Sequence, residues 1–286
     1  ISLDGGDSNA SLAHLLKLEV ILVIDCVGMT RGVAPLLKGY QEFDKKIKYK
    51  GIILNNIAND RHENKVINAI NEFTKLKVIG SIHKNKQLTI MEKKLGLEPV
   101  FQNPYTKNII KNISSVIKKS VDMKYLINKK TNNKDNKIPK VVLKKNIYSN
   151  LRIGVAFDSA FGFYYPDDIN EFKRLGAKII YFDTLKDKVL PKVDGLFIGG
   201  GFPERVADKL TKNTRMIKSI SNYIESEMPV YAECGGLMYL CNSIITKTNK
   251  FKMTGIINAD IKMLDKPIGR GYVELMVTNK HPWMLN

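Results

Sequence analysis

The sequence predicts an α/β protein of two domains, each organised on a parallel sheet. Three observations carry that expectation. Apolar runs of strand length alternate with helical patterns from Val20 to Leu95, and alternation at this spacing means right-handed crossovers within one parallel sheet. The same alternation resumes at Leu151 and continues to Leu240. Between them, residues 129–137 contain no apolar side chain, the composition of a solvated linker. The expected boundaries are 1–128 for the first domain, 129–150 for the linker and 151–286 for the second domain.

In the first domain, Ser8 or Asn9 is placed to cap a helix over Ala10–Lys17. Val20–Asp25 is a continuous apolar run, which reads as a parallel strand buried on both faces. Asp25 stands at the C-terminal end of that strand, where open α/β sheets place their ligands. It either holds magnesium through water or serves as a cap or turn residue, and the site role is favoured. A turn and helix follow over Gly28–Lys38, and Gly51–Asn55 is the next buried strand, again with a polar residue at its exit. Arg61–Leu76 reads as helix, Val78–Ile82 as strand and Gln87–Leu95 as a short helix, and from Lys107 the pattern loosens.

The second domain opens with a strand over Leu151–Ala156, and an aromatic segment then leads into a helix over Asp168–Leu175. Strands at Lys178–Phe182, Leu196–Ile198 and Val230–Ala232, with a helix across Lys209–Glu225, make a flavodoxin-like sheet. Residues 255–260 and 269–275 read as strands of a terminal antiparallel extension.

The chemistry concentrates in that second sheet. Val230-Tyr231-Ala232 runs into Glu233-Cys234-Gly235-Gly236, and Leu237, Met238 and Leu240 start the apolar face of a helix. This is a strand–turn–helix elbow with a thiol at its tip. The N–H groups that open the next helix favour thiolate over thiol, so Cys234 is a candidate nucleophile. On the elbow alone, a nucleophile and a buried structural cysteine stand level. A second stretch tips the balance: Leu196-Phe197-Ile198 feeds Gly199-Gly200-Gly201, bare backbone that can approach a ligand closely. Beside Cys234 such a loop supplies an oxyanion hole, and acyl chemistry leads.

Composition narrows the classes. At 44% hydrophobic and 26% charged, 286 residues suffice for two ordinary cores. No apolar run reaches the roughly 18–20 residues that span a bilayer, and no signal-peptide pattern is present. Three cysteines without metal spacing suit a reducing compartment, with the cytoplasm as the default. The net charge of +18 suggests nucleic acid, yet only seven of the 46 basic residues are Arg and they form no aromatic-interleaved patch. A Lys/Asn/Ile bias explains the charge more simply, and no nucleic-acid partner is expected.

GGGFPE followed by PVYAECGGLMYL resembles the glutamine amidotransferase domain of the cobyrinate a,c-diamide synthase family, and FDSAFGFYYPDD at 157–168 resembles the entry into that domain. In the first half, VILVIDCVGMTRGVAPLLKGYQEFD, GIILNNIANDRHE and the stretch from VIGSIHKN to EKKLGLEP resemble the same family. Its N-terminal domain looks like dethiobiotin synthetase, a P-loop-type nucleotide-binding fold. The resemblance implies a ligase that takes nitrogen from L-glutamine, uses ATP and Mg2+, and amidates a tetrapyrrole. It implies Cys234 as the catalytic thiol, Gly199, Gly200, Gly201 and Gly235 around the oxyanion, and Asn55 and Asp25 at the ATP site, with Asp25 holding the metal through water. A homodimer is left open. Relatives act on cobyrinate, hydrogenobyrinate, nickel sirohydrochlorin or sirohaem, and the residues do not separate these. The rival from another class is a non-catalytic basic binding protein.

Two family features have no counterpart here. No G-x-x-x-x-G-K-[ST] loop occurs, and His14, His62, His83 and His281 do not match the family's activating His. With a first residue that is not Met, both ends look cut, and a fragment is expected.

Overall fold

The elements were placed in a computed structural model, which describes residues 3–90, 106–127, 148–266, 268–269, 273–274 and 276. It divides into two units, residues 1–140 and 141–286, and the division falls inside the segment read as linker.

The first unit starts with α1 (Asn9–Leu15), capped by the Ser8 side chain, which accepts from the Ser11 N–H at 3.1 Å. Then come β1 (Val20–Asp25), α2 (Val33–Phe43), β2 (Tyr49–Ile57), α3 (Asp60–Phe73), β3 (Val78–His83), α4 (Thr106–Ser120) and α5 (Met123–Ile127). The strands form a parallel sheet in the order β1-β2-β3, with Asp25 paired to Asn55 in register. Leu37 of α2 and Val66 and Ile70 of α3 close over Ile24, Ile52 and Leu54 to make the core. Among the described residues β1 is an edge strand with one buried face: Ile24 is 6% exposed and Val23 62%, so the expectation of two buried faces does not hold there.

Two expectations fail further along. Only a 3-10 turn at Lys86–Leu88 occupies the described part of the helix expected over 87–95, and residues 91–95 lie outside the described ones. The stretch beyond Lys107 is helical, as α4 and α5. Ile109, Ile113, Val116 and Ile117 recur at helical spacing there, but the intervening Lys, Asn and Ser dilute the signal.

The second unit contains β4 (Arg152–Ala156), β5 (Phe161–Phe163), α6 (Pro166–Arg174), β6 (Lys178–Phe182), β7 (Gly195–Ile198), β8 (Gly200–Gly201), α7 (Ala207–Lys212), α8 (Thr214–Glu225), β9 (Val230–Ala232), α9 (Gly235–Leu240), β10 (Cys241–Ile245), β11 (Lys250–Lys252) and β12 (Ile257–Lys262). Its main sheet is parallel in the order β6-β4-β7-β9. Numbered within the unit this is 2-1-3-4, the flavodoxin-like winding. The two faces of β7 show the alternation of a covered sheet. Ile198 packs with Leu210, Met216, Ile220 and Tyr239 on one side, and Phe197 with Val155, Ile169 and Phe172 on the other.

The single helix expected over 209–225 is broken at Asn213, whose side-chain amide donates to the Thr184 and Asp187 carbonyls at 2.8 Å each. Of the two strands expected in the terminal extension, the first is present as β12, which pairs parallel with β10, and β10 in turn pairs antiparallel with β11, two strands the sequence reading did not place. Most of residues 269–275 lie outside the described residues, as do His281 and residues 128–147.

At the N-terminal end of the sheet, Asp194 accepts from the Arg152 backbone N–H (2.8 Å), Nε (3.0 Å) and Nη2 (2.8 Å). The Arg152 side-chain contacts, then its backbone N–H, hold the Asp194 carboxyl down at about 2 from an ordinary 3.8. A depressed folded pKa contributes stability that is present above the unfolded value and is lost as pH falls through the folded one. The melting temperature of Asp194→Asn should therefore lie below that of the parent at pH 7. The gap should close between about pH 4 and pH 2, as thermal melts at stepped pH will read.

Candidate active site

The C-terminal ends of β7 and β9 deliver two backbone features to one place. β7 ends at Ile198 and turns through Gly199 into β8, which pairs with β5. β9 ends at Ala232, and Glu233 then returns to the sheet through its N–H on the Ile198 carbonyl at 3.1 Å. Cys234 follows in a conformation that L-residues rarely adopt, φ +49° and ψ −111°. Strain of this kind persists only where neighbours enforce it, and it clusters at functional sites. Here Gly236 enforces it, donating its N–H to Gly199 O (3.0 Å) and Glu233 O (2.8 Å). A Cβ on Gly236 would stand 2.0 Å from Ile198 O, so only glycine fits under the turn.

The loop opposite is held as tightly. A Cβ on Gly201 would lie 1.9 Å from Ala160 O, and the Phe202 N–H donates to that same carbonyl at 2.9 Å. Ala160 is itself fixed by buried Asp158, whose carboxylate accepts from the N–H groups of Ala160 (2.7 Å), Phe161 (3.1 Å) and Thr184 (2.6 Å) and from Thr184 Oγ1 (2.7 Å). A Cβ built on Gly200 would be 3.6 Å from the Cys234 Cβ, so the glycine loop faces the thiol residue across a van der Waals gap.

The three cysteines separate cleanly. Cys26 and Cys241 are buried, and burial pushes both thiols up, whereas Cys234 is exposed. The structural-cysteine reading therefore fits the first two and not Cys234. The apolar face of α9 differs from expectation: Tyr239 and Leu240 are buried and Leu237 is exposed. Among the expected oxyanion donors, Gly235 opens α9 directly after Cys234, whereas the next amide, that of Gly236, is committed to the Gly199 and Glu233 carbonyls. Gly199 is different, because its N–H is already donated to the Tyr164 phenol oxygen at 3.0 Å. Its expected role as a free donor is therefore corrected to that of an anchored residue beneath the loop. The sequence reading left the aromatics at 161–165, Tyr164 among them, between plain core and a place by resemblance near the mouth of the glutamine domain, and it gave the hydroxyl no role.

In the first unit, Asp25 ends β1 and pairs in register with Asn55, which lies two residues inside the end of β2 rather than at the strand exit expected for it. Asp25 Oδ1 accepts from Asn56 Nδ2 (3.0 Å) and the Val27 N–H (3.1 Å), and these bonds, Asn56 first, hold the carboxyl below its usual range. An exposed, ionised carboxylate at a strand end fits a cation held through water. Asn56, at φ +59°, is the partner that sequence reasoning missed. Among the described residues, the group with converging metal-type ligands is Asp60, Glu63 and His83 instead, in which His83 Nε2 sits 2.7 Å from Glu63 Oε2.

Comparison with known proteins agrees with this division. Residues 152–283 match the model of the CobB/CobQ-like glutamine amidotransferase domain, and residues 3–92 match that of an AAA domain. The cobyrinate a,c-diamide synthase of Picrophilus torridus is 39% identical over 256 residues, covering 90% of this chain and 58% of that protein. That of Magnetococcus marinus is 35% identical over 288 residues, 98% of this chain and 62% of the relative. That of Methanosarcina acetivorans is 38% identical over 253 residues, 84% and 50%. The chain thus spans between 50% and 62% of the length of these relatives. Among the described residues no helix is long and apolar enough to cross a membrane.

Proposed function

This chain belongs to the cobyrinate a,c-diamide synthase family, and from that premise we propose that it serves the ATP- and glutamine-dependent amidation of the a- and c-acetate carboxylates of a corrin-type tetrapyrrole. The observation that carries the reading is Cys234, exposed and strained at the elbow, facing a glycine loop that neighbouring backbone fixes in place.

In the second unit, the Cys234 thiolate attacks the side-chain amide carbon of L-glutamine. The carbonyl oxygen takes the negative charge beside the Gly200, Gly201 and Gly235 amides. The C–N bond then breaks, the nitrogen takes a proton and leaves as ammonia, and water hydrolyses the thioester to glutamate. One oxyanion donor is worth roughly a factor of 10²–10³ in rate, so the placement of the loop governs turnover. Ammonia is the nitrogen source for amidation: each carboxylate would take the γ-phosphoryl group of ATP, with ADP leaving, and ammonia would then displace phosphate from the acyl phosphate to give the amide. From this chain, Asn55 would read the adenine edge and Asp25 would hold Mg2+, which would supply positive charge to the phosphates. The compartment we assign is the cytoplasm, with no nucleic-acid partner.

Asn55→Ala should raise the Michaelis constant for ATP and leave glutamine hydrolysis nearly intact. The loss of its hydrogen bonds is worth about 1–3 kcal/mol, or about 5- to 150-fold. An unchanged ATP dependence removes Asn55 from the site. The reading as a whole is tested by supplying the intact protein with ATP, Mg2+ and amide-15N glutamine, and with cobyrinate, hydrogenobyrinate, nickel sirohydrochlorin or sirohaem in parallel. Mass spectrometry should find two labelled carboxamides on cobyrinate. Label on another macrocycle alone would move the substrate, and no label on any would favour the binding-protein rival.

A further inference from the structure

Among the described residues, the Tyr164 hydroxyl is the one side-chain group hydrogen-bonded to the backbone of the glycine loop's first residue, and nothing in the chemistry above uses it. Its oxygen accepts from the Gly199 N–H at 3.0 Å, while its own proton is donated to Ala156 O. Ala156 ends β4 and Gly199 follows the end of β7. The connections leave β4 towards β6 on one side and continue through β7 to β9 on the other, so the β4/β7 gap is the switch point of this sheet. Ligand crevices of doubly wound sheets open at that point. Tyr164 closes it with one phenol, its ring edge-on to Phe197 at 5.0 Å and 90°. The ring also limits the loop from beneath: a Cβ on Gly199 would meet Tyr164 Cε1 at 2.6 Å. Burial pushes the phenol above its ordinary range, so it keeps its proton and both hydrogen bonds at neutral and mildly alkaline pH.

We propose that Tyr164 is a positioning residue for glutamine hydrolysis: its hydroxyl clamps Gly199 to the end of β4 and thereby fixes Gly200 and Gly201 against Cys234. The inference rests on the glutaminase reading of that site. Tyr164 touches neither the reacting carbon nor the thiol. It acts through one amide, and through the stretch Gly199–Gly200 that faces the Cys234 Cβ. Without the hydroxyl, the Gly199 N–H and the Ala156 carbonyl lose their shared partner and the loop gains freedom at its root. The glutamine carbonyl then meets donors of less defined placement, and a misplacement of about 1 Å costs on the order of 10²-fold. The Tyr164 hydroxyl is already committed to the Gly199 N–H and the Ala156 carbonyl, so the proposal gives it no part in holding the glutamine amino and carboxylate groups, and the effect falls on kcat.

The test is Tyr164→Phe in the intact protein, which removes one oxygen and keeps the ring. Two alkylating probes separate loop placement from thiol access. A chloromethyl ketone analogue of glutamine adds through its carbonyl and needs the oxyanion donors, whereas iodoacetamide needs only an accessible thiolate. Tyr164→Phe should lower Cys234 labelling by the chloromethyl ketone at least tenfold, with iodoacetamide labelling within twofold of the parent. With glutamine as substrate, kcat should fall by about 10- to 100-fold and KM should stay within about twofold. Both labelling rates unchanged would overturn the proposal. Both falling together would overturn it too, as would a variant that fails to fold, because the hydroxyl would then serve the fold and not the loop. If the parent itself shows no preference of Cys234 for the glutamine analogue, the glutaminase reading fails, a result distinct from any behaviour of the variant.

Discussion

Glutamine-dependent amidation is expected to vanish in Cys234→Ala while amidation with ammonia persists. The thiol takes part in nitrogen release only. Every group assigned to carboxylate activation belongs to the other unit, so exogenous ammonia bypasses the lost nucleophile. Removing the nucleophile of an acyl-transfer site costs on the order of 10⁶ in turnover, which places glutamine hydrolysis below detection. The ratio of ammonia- to glutamine-supported rates is the readout, because it cancels differences in expression and folding. Cys26→Ala should not change that ratio, since Cys26 is buried within the core of the first unit. A Cys234→Ala protein that still uses glutamine would remove the elbow from the mechanism.

The second large effect is expected at Gly236→Ala. The added methyl would sit 2.0 Å from Ile198 O and 2.8 Å from Ile198 C. Both are backbone atoms of Ile198, a fully buried residue of a central strand, so neither can swing aside. Relief must come from the turn, and the turn carries the Gly236 N–H bonds to Gly199 and Glu233 that hold Cys234 in place. Overpacking of this kind costs typically 1–3 kcal/mol, and a displaced nucleophile costs about 10² in rate. A lowered melting temperature together with at least a hundredfold loss of glutamine hydrolysis is expected. Gly39→Ala, where a Cβ meets nothing within 4 Å inside α2, should be neutral or slightly stabilising. Equal melting temperatures and rates for the two variants would show that the turn has slack.

These effects also show what could be read before any coordinates. The elbow was legible because strand end, glycine pair and helix start are contiguous in sequence, and the glycine loop because three glycines directly follow Ile198. That the two meet depends on β7 and β9 being neighbours, which the strand–helix alternation supplies. The Tyr164 clamp was not legible. It is a contact between a hydroxyl and a backbone N–H 35 residues away, and no spacing rule ties an aromatic residue to a distant amide. The commitment of the Gly199 N–H was hidden for the same reason. α4 was missed because polar residues dilute its apolar stripe. The parallel pairing of β10 with β12 had no counterpart in the sequence reading, because β10 and β11 were not placed as strands there.

The central claim, that Cys234 is the acyl acceptor for the glutamine side chain, is tested most directly by trapping that acyl group. The intact protein is turned over with glutamine, quenched in acid, digested, and the peptide spanning Met228–Leu240 is weighed by mass spectrometry. The account predicts a glutamyl thioester on Cys234 that disappears on hydroxylamine treatment and is absent in Cys234→Ala. Steady glutamine hydrolysis with the adduct on another residue, or with ammonia release undiminished in Cys234→Ala, would contradict it.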